Sequence, residues 1–152
     1  MNSRTYTVPL SLLLIGVAAC GSDTTTEPPN AIVGNYMASQ WVTTGGSGQT
    51  NQLLAGSTLQ LSLAAGGTTS GQLHVAASGG NPAFDADMTG TWSESDNKVT
   101  ISQSADTFVR DMTFNVVPNG SRWSLTADQV LSGTRIQITL DQVFLVALRA
   151  NP

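Results

Sequence analysis

Few side chains in this sequence are equipped for chemistry, and their spacing sorts them quickly. His74 is the sole histidine. It lies between Leu73 and Val75 in an alternating stretch, so it points away from their shared face and toward solvent. A serine triad needs that imidazole beside a nucleophile elbow, and no Gly-x-Ser-x-Gly occurs. Asp85 and Asp87 sit two apart on one strand face, with Glu94 and Asp96 in the next turn. Such carboxylates offer oxygens to a hard cation such as calcium, yet without the rest of a loop pattern they read as a solvated face. No metal, no cofactor and no enzymatic activity are therefore expected. Arg110 keeps step with Phe108, Met112, Phe114 and Val116, so on a regular strand its guanidinium points inward, where an unpaired charge is expensive. It then requires an inward acid, backbone carbonyls or an anionic ligand group. At the rim of the interior it instead reaches water along its aliphatic stem.

Cys20 is the sole cysteine and closes an apolar run over residues 8–19, preceded by Arg4. That run is shorter than the roughly 20 residues a spanning helix needs, and it reads as a cleaved export leader. Val17, Ala18, Ala19 and Cys20 resemble the lipobox of bacterial lipoproteins, in which a cysteine after small residues is acylated on its thiol before cleavage. The resemblance implies that Cys20 becomes the first residue of the mature protein and carries acyl chains, palmitate among them, that hold it to a membrane. Gly21, standing where aspartate favours inner-membrane retention, implies the outer membrane of a bacterial envelope. Residues 21–30 carry no apolar side chain and include a proline pair. They form a tether with an r.m.s. reach of roughly 17 Å. The expected organisation is a leader over residues 1–19, acylated Cys20 and tether over 20–30, and one folded domain over 31–152.

Removing residues 1–19 takes Arg4 with them and leaves five basic against ten acidic side chains, a net of −5. Nucleic acid is a poor partner for that charge. The remaining 133 residues suffice for one domain and not for two. Only 11% of the residues are charged, while Gly, Ser and Thr abound, which suits short strands joined by tight turns. No disulfide can form with a single cysteine, so stability must come from the core and from sheet closure.

From Ser57 onward the apolar period is two. Leu59, Leu61 and Leu63 share a face; so do Leu73 and Val75; Met88, Gly90 and Trp92; Val99 and Ile101; Phe108, Met112, Phe114 and Val116; Trp123, Leu125 and Ala127; Ile136, Ile138 and Leu140. Turn residues separate them: Gly45 and Gly46, Gly66 and Gly67, Gly79 to Pro82, Asp96 and Asn97, Pro118 to Ser121, Ser132 and Gly133. Asn119-Gly120 is the strongest hairpin signal, because both central residues of a type I′ turn need positive φ; the turn also accounts for the Asn-Gly-Ser sequon. With a first strand near residue 35, strands fall near 35, 60, 73, 88, 100, 112, 125 and 138. The expected fold is an all-β, antiparallel, up-and-down eight-stranded barrel, with a β-sandwich as the alternative; closure removes edges that would recruit other chains. Tyr36 and Trp41 lie in opposite phases and call for a bulge between them. A phase slip between Leu140 and Val143 leaves residues 143–148 either extending the last strand after a bulge or packing against the barrel mouth.

Gly34-Asn35-Tyr36, then Leu59-Gln60-Leu61-Ser62-Leu63 and a glycine-rich turn into Ser70-Gly71-Gln72-Leu73, resemble the opening of small bacterial lipocalin-like lipoproteins. Gly90-Thr91-Trp92, the turn at Asp96-Asn97 and Val99-Thr100-Ile101 resemble the middle of such domains. The sequence departs from true lipocalins in having Tyr36 where they have tryptophan and in lacking their Thr-Asp-Tyr motif. By the same resemblance Arg135 is assigned to pack on the first-strand aromatic. Gly56-Ser57-Thr58 and the alternating leucines also look faintly like avidin-type barrels, with no ligand residues to carry over.

An eight-stranded barrel is just wide enough to hold one small ligand or to be filled by its own side chains. The expected function is a membrane-anchored envelope protein whose barrel binds or carries a small hydrophobic or amphipathic molecule. The candidate interior is Tyr36, Met88, Trp92, Phe108, Arg110, Met112, Phe114 and Trp123. In the rival reading Met88, Trp92, Phe108, Met112, Phe114 and Trp123 fill the interior, and the protein acts through its outer surface as a scaffold, an assembly accessory or a protease inhibitor.

Overall fold

The computed structural model describes residues 30–144. The leader, Cys20, most of the tether and residues 145–152 lie outside the described residues. A 3-10 turn, Asn30–Ile32, leads into ten strands: β1 (Gly34–Gly45), β2 (Gly48–Asn51), β3 (Thr58–Leu63), β4 (Thr68–Val75), β5 (Phe84–Asp87), β6 (Gly90–Ser95), β7 (Lys98–Gln103), β8 (Thr113–Asn119), β9 (Arg122–Leu131) and β10 (Thr134–Val143). A second 3-10 turn, Phe108–Asp111, stands between β7 and β8.

Neighbours pair antiparallel in the order β10-β9-β8-β7-β6-β4-β3-β1, and β10 pairs again with β1. The sheet thus closes into an eight-stranded up-and-down barrel that fits the lipocalin-like description. Two short strands stand apart from this count. β2 folds back on the far half of β1, from Val42↔Asn51 to Gly45↔Gly48. β5 and β6 share β4 as partner, at residues 72–75 and 68–69, and act as one bent strand broken at Met88 and Thr89. The closing seam runs from Asn35↔Val143 to Thr44↔Arg135, with a register shift between Ala38 and Gln40. That irregularity is the bulge the sequence calls for: it turns both Tyr36 and Trp41 inward, at 1% and 2% exposure.

The registers give the barrel two unlike ends. The start of β1, the tight turns β3–β4, β6–β7 and β8–β9, and the end of β10 gather at one end, the lower. The connections of residues 52–57, 76–83 and 104–112 gather at the upper end, with the tight turn at Ser132 and Gly133. Asp96 and Asn97 (φ 54° and 58°) and Ser132 and Gly133 (48° and 81°) form two-residue turns with positive φ at both centres.

Three local expectations need correction. The hairpin after β8 is centred on Gly120 and Ser121, with Asn119 paired to Arg122. Only Gly120 takes positive φ (63°), the pattern of a type II′ turn, and Asn119 stays on the ladder, donating from Nδ2 to Ser124 Oγ at 3.0 Å. β10 does not slip phase: Ile136, Ile138, Leu140 and Gln142 all face inward. Gln142 takes the apolar slot because its amide is engaged at both ends, Nε2 donating to Val33 O at 3.0 Å and Oε1 accepting from Trp123 N at 3.2 Å. Residues 108–111 are not strand, so the apparent alternation of Phe108, Arg110 and Met112 is a coincidence of spacing.

One contiguous core runs the length of the barrel and includes Tyr36, Trp41, Leu59, Leu61, Met88, Val99, Val109, Met112, Phe114, Leu125 and Leu140. Gly71 and Gly90 mark the tightest approaches of neighbouring backbones, a Cβ standing 2.1 Å from Gln60 O and from Ser102 O respectively, and Gly71 also takes φ 130°.

Candidate functional site

The lower end is sealed. Ile32, from the first 3-10 turn, is 2% exposed, and Tyr36 donates its hydroxyl to Ile32 O at 2.6 Å. Burial pushes the Tyr36 pKa up to about 12, because the phenolate would lose its hydration. Arg135, assigned by resemblance to this aromatic, belongs elsewhere. It pairs with Thr44 near the upper end and its guanidinium grips Asp128, Nε to Oδ1 at 2.7 Å and Nη2 to Oδ2 at 2.5 Å. That pairing lowers the Asp128 pKa and raises that of Arg135.

The upper end is closed differently. The turn Phe108–Asp111 lies across the interior and plants Val109, fully buried, in the core. Phe108 is half-buried, with its ring centroid 5.2 Å from that of Trp41 and the planes 40° apart. Arg110 does not enter the barrel. It is held at the rim by Asp106 (2.6 Å) and Asp111 (3.5 Å), with its side chain 37% exposed. Beneath the turn a polar chain crosses the interior: Thr107 Oγ1 donates to Gln103 Oε1 at 3.1 Å, and Gln103 Nε2 donates to Met88 Sδ at 3.3 Å.

Of the residues singled out from sequence, Tyr36, Met88, Trp92, Met112 and Phe114 are core side chains, each at most 5% exposed. Trp92 is anchored by its Nε1 donating to Ala64 O at 2.9 Å. Phe108 and Trp123 pack against that core while remaining half-buried. Arg110 is the one member on the outside, and Cys20 lies outside the described residues. Two interior residues at the upper end escaped the sequence reading, Val109 and Gln103, as did the packing of Phe108 on Trp41. Asp106 and Arg110, four apart, carry the signal for a helical turn there.

The exposed chemistry is modest. His74 faces outward and its Nδ1 lies 2.7 Å from Asp85 Oδ1 across the β4–β5 ladder. Asp87, its neighbour on that face, accepts from both the hydroxyl and the backbone N–H of Thr89, which lowers its pKa. Among the described residues no three His, Cys, Asp or Glu side chains gather as a metal site. Asp141 accepts from Ser124 Oγ at 2.5 Å and from Asn119 Nδ2 at 3.3 Å, and its pKa falls accordingly. Two shallow grooves mark the outer wall. One, of about 310 Å³, runs over Met37, Gln60, Ser70 and Gly71; the other, of about 180 Å³, is lined by Gln40, Asn115, Thr126 and Gln137.

Fold and site together define a small closed up-and-down β-barrel, sealed at one end and capped at the other by a short turn. Compared with known proteins, the chain matches no family model, no curated protein and no solved structure.

Proposed function

We propose that this protein is a lipid-anchored lipoprotein of the bacterial envelope, lipocalin-like in kind, whose barrel carries one small apolar or amphipathic molecule beneath the turn Phe108–Asp111. The observation that carries the reading is the asymmetry of the two ends. The lower end is tied by the Tyr36 hydroxyl and tight turns, while the upper is covered by a four-residue turn with a half-buried phenylalanine. An acylated Cys20 and a tether with a reach of roughly 17 Å, joined to the barrel at its lower end through Asn30–Ile32, would hold the domain beside a bilayer, the reservoir of apolar molecules.

The cap sets the terms of exchange. Lifting the turn exposes Val109 and part of Phe108, at a cost of about 3–4 kcal/mol on the usual scale for buried apolar side chains. The open fraction is then between about 1 in 100 and 1 in 1,000, and a ligand entering that way binds more weakly by the same factor unless its own contacts replace those lost. Native mass spectrometry of the protein recovered from its own cells tests this: a reproducible added mass of one small molecule is expected, and a clean apo mass would overturn it.

A second reading has support of its own. Met88, Phe114, Leu125 and Leu140 are at 0% exposure within a continuous core, so the barrel is packed over much of its length. A filled barrel would act through its outer wall as a scaffold or accessory of the envelope, and the apo mass is its expected result.

A further inference from the structure

Among the described residues, the indole Nε1 of Trp41 is the one fully buried side-chain nitrogen or oxygen without a hydrogen-bond partner. Trp41 is 2% exposed, and a donor so placed forfeits its hydration with nothing in exchange. Trp92 shows the ordinary solution in the same barrel, its Nε1 donating to Ala64 O at 2.9 Å. The neighbour of Trp41 is the ring of Phe108, carried on the cap turn. Resting on the carrier reading above, we propose that the site under the cap turn, opened when Phe108 swings away from Trp41, takes a small neutral aryl carbonyl compound. Its ring replaces that of Phe108 against Trp41, and its carbonyl oxygen accepts the Trp41 Nε1 hydrogen.

Each part of that class follows from the site. The indole only donates, so the ligand must accept. A ligand hydroxyl would bring a hydrogen of its own, and Gln103 Oε1, the side-chain acceptor of the polar chain described above, is already engaged by Thr107. A carboxylate is disfavoured because a single N–H cannot repay the desolvation of a charge. The rim cation, Arg110, is already held between Asp106 and Asp111, so an anion would meet two acids. The ring requirement comes from the aromatic surface that Phe108 now covers.

The test uses the full chain carrying Cys20→Ala, labelled with 15N at tryptophan, titrated with acetophenone and with its hydrocarbon counterpart cumene. Acetophenone is expected to move the Trp41 indole proton downfield, cumene to leave it without that shift, and the Trp92 indole to stay in place with both. Trp41→Phe assigns the resonance; if that variant does not fold, Trp92→Phe and Trp123→Phe assign it by elimination. In Trp41→Phe the preference for acetophenone over cumene should fall roughly 5–10-fold, the worth of one neutral hydrogen bond. Phe108→Ala should tighten acetophenone binding by clearing the ring it displaces. Equal responses to the two probes would overturn the hydrogen bond while leaving carriage intact. No response to either overturns the inference, and the native mass measurement then decides the carrier reading separately.

Discussion

Raising the pH should unlock the lower end of the barrel through a single phenol. The sequence holds two tyrosines, Tyr6 and Tyr36, so protein lacking residues 1–19 reports Tyr36 alone by its phenolate absorbance. Burial raises its pKa from 10.0 to about 12. The unfolded chain therefore releases this proton first, and the native state loses stability as pH climbs between those two values. The stabilisation from Tyr36 is complete below pH 10. With a shift of this size the loss is about 1 kcal/mol by pH 11 and about 2 kcal/mol by pH 12. Tyr36→Phe removes the ionisable group and also strands Ile32 O, so it should cost about 1–2 kcal/mol at neutral pH. Urea unfolding at a series of pH values separates the two effects: the wild-type and Tyr36→Phe stabilities should converge as pH rises from 10 to 12. Parallel curves over that window, or a phenolate titrating at its ordinary value, would refute the burial and the hydrogen bond together.

Other expectations follow from single contacts. Gly71→Ala should cost at least about 3 kcal/mol in urea unfolding, because its Cβ would meet the Gln60 carbonyl at 2.1 Å and the backbone cannot give way. Gly120→Ala, with positive φ but open space around it, should cost about 1 kcal/mol. Gln142→Leu should lose about 1–3 kcal/mol, since Val33 O and Trp123 N lose their partner inside the seam. Arg110→Ala should change stability by less than about 1 kcal/mol, as expected of a solvent-facing ion pair; a larger loss by thermal unfolding would put the guanidinium back inside.

The barrel was legible because its strands alternate cleanly and its turns announce themselves. Leu59, Leu61 and Leu63, or Val99 and Ile101, can have only one dry face, and the opposed phases of Tyr36 and Trp41 demanded the bulge found between Ala38 and Gln40. The cap was hidden by the same rule that revealed the strands. Phe108, Arg110, Met112 and Phe114 satisfy a period of two, yet the first two lie on a 3-10 turn whose buried member is Val109. Spacing could not weigh the Asp106–Arg110 pair that favours a turn there. Gln142 was hidden for a different reason: a polar residue counts as a break in apolar rhythm unless its two hydrogen bonds are known, and both partners are distant in sequence. Trp41 was placed correctly as an inward residue of β1, but that its N–H stands alone depends on where Phe108 falls in three dimensions.

The central claim is that the upper cap opens while the barrel stays closed, and native-state hydrogen exchange addresses it directly. The Met112 N–H donates to Val109 O at 3.3 Å within the cap, whereas β10 is laddered on both edges, to β9 and to β1. The cap amide should exchange through a local opening of about 3–4 kcal/mol. The β10 amides should exchange only with global unfolding. Exchange of Met112 at the same free energy as the β10 ladder would mean that the turn is a fixed part of the wall, and the entry route proposed for a ligand would be gone.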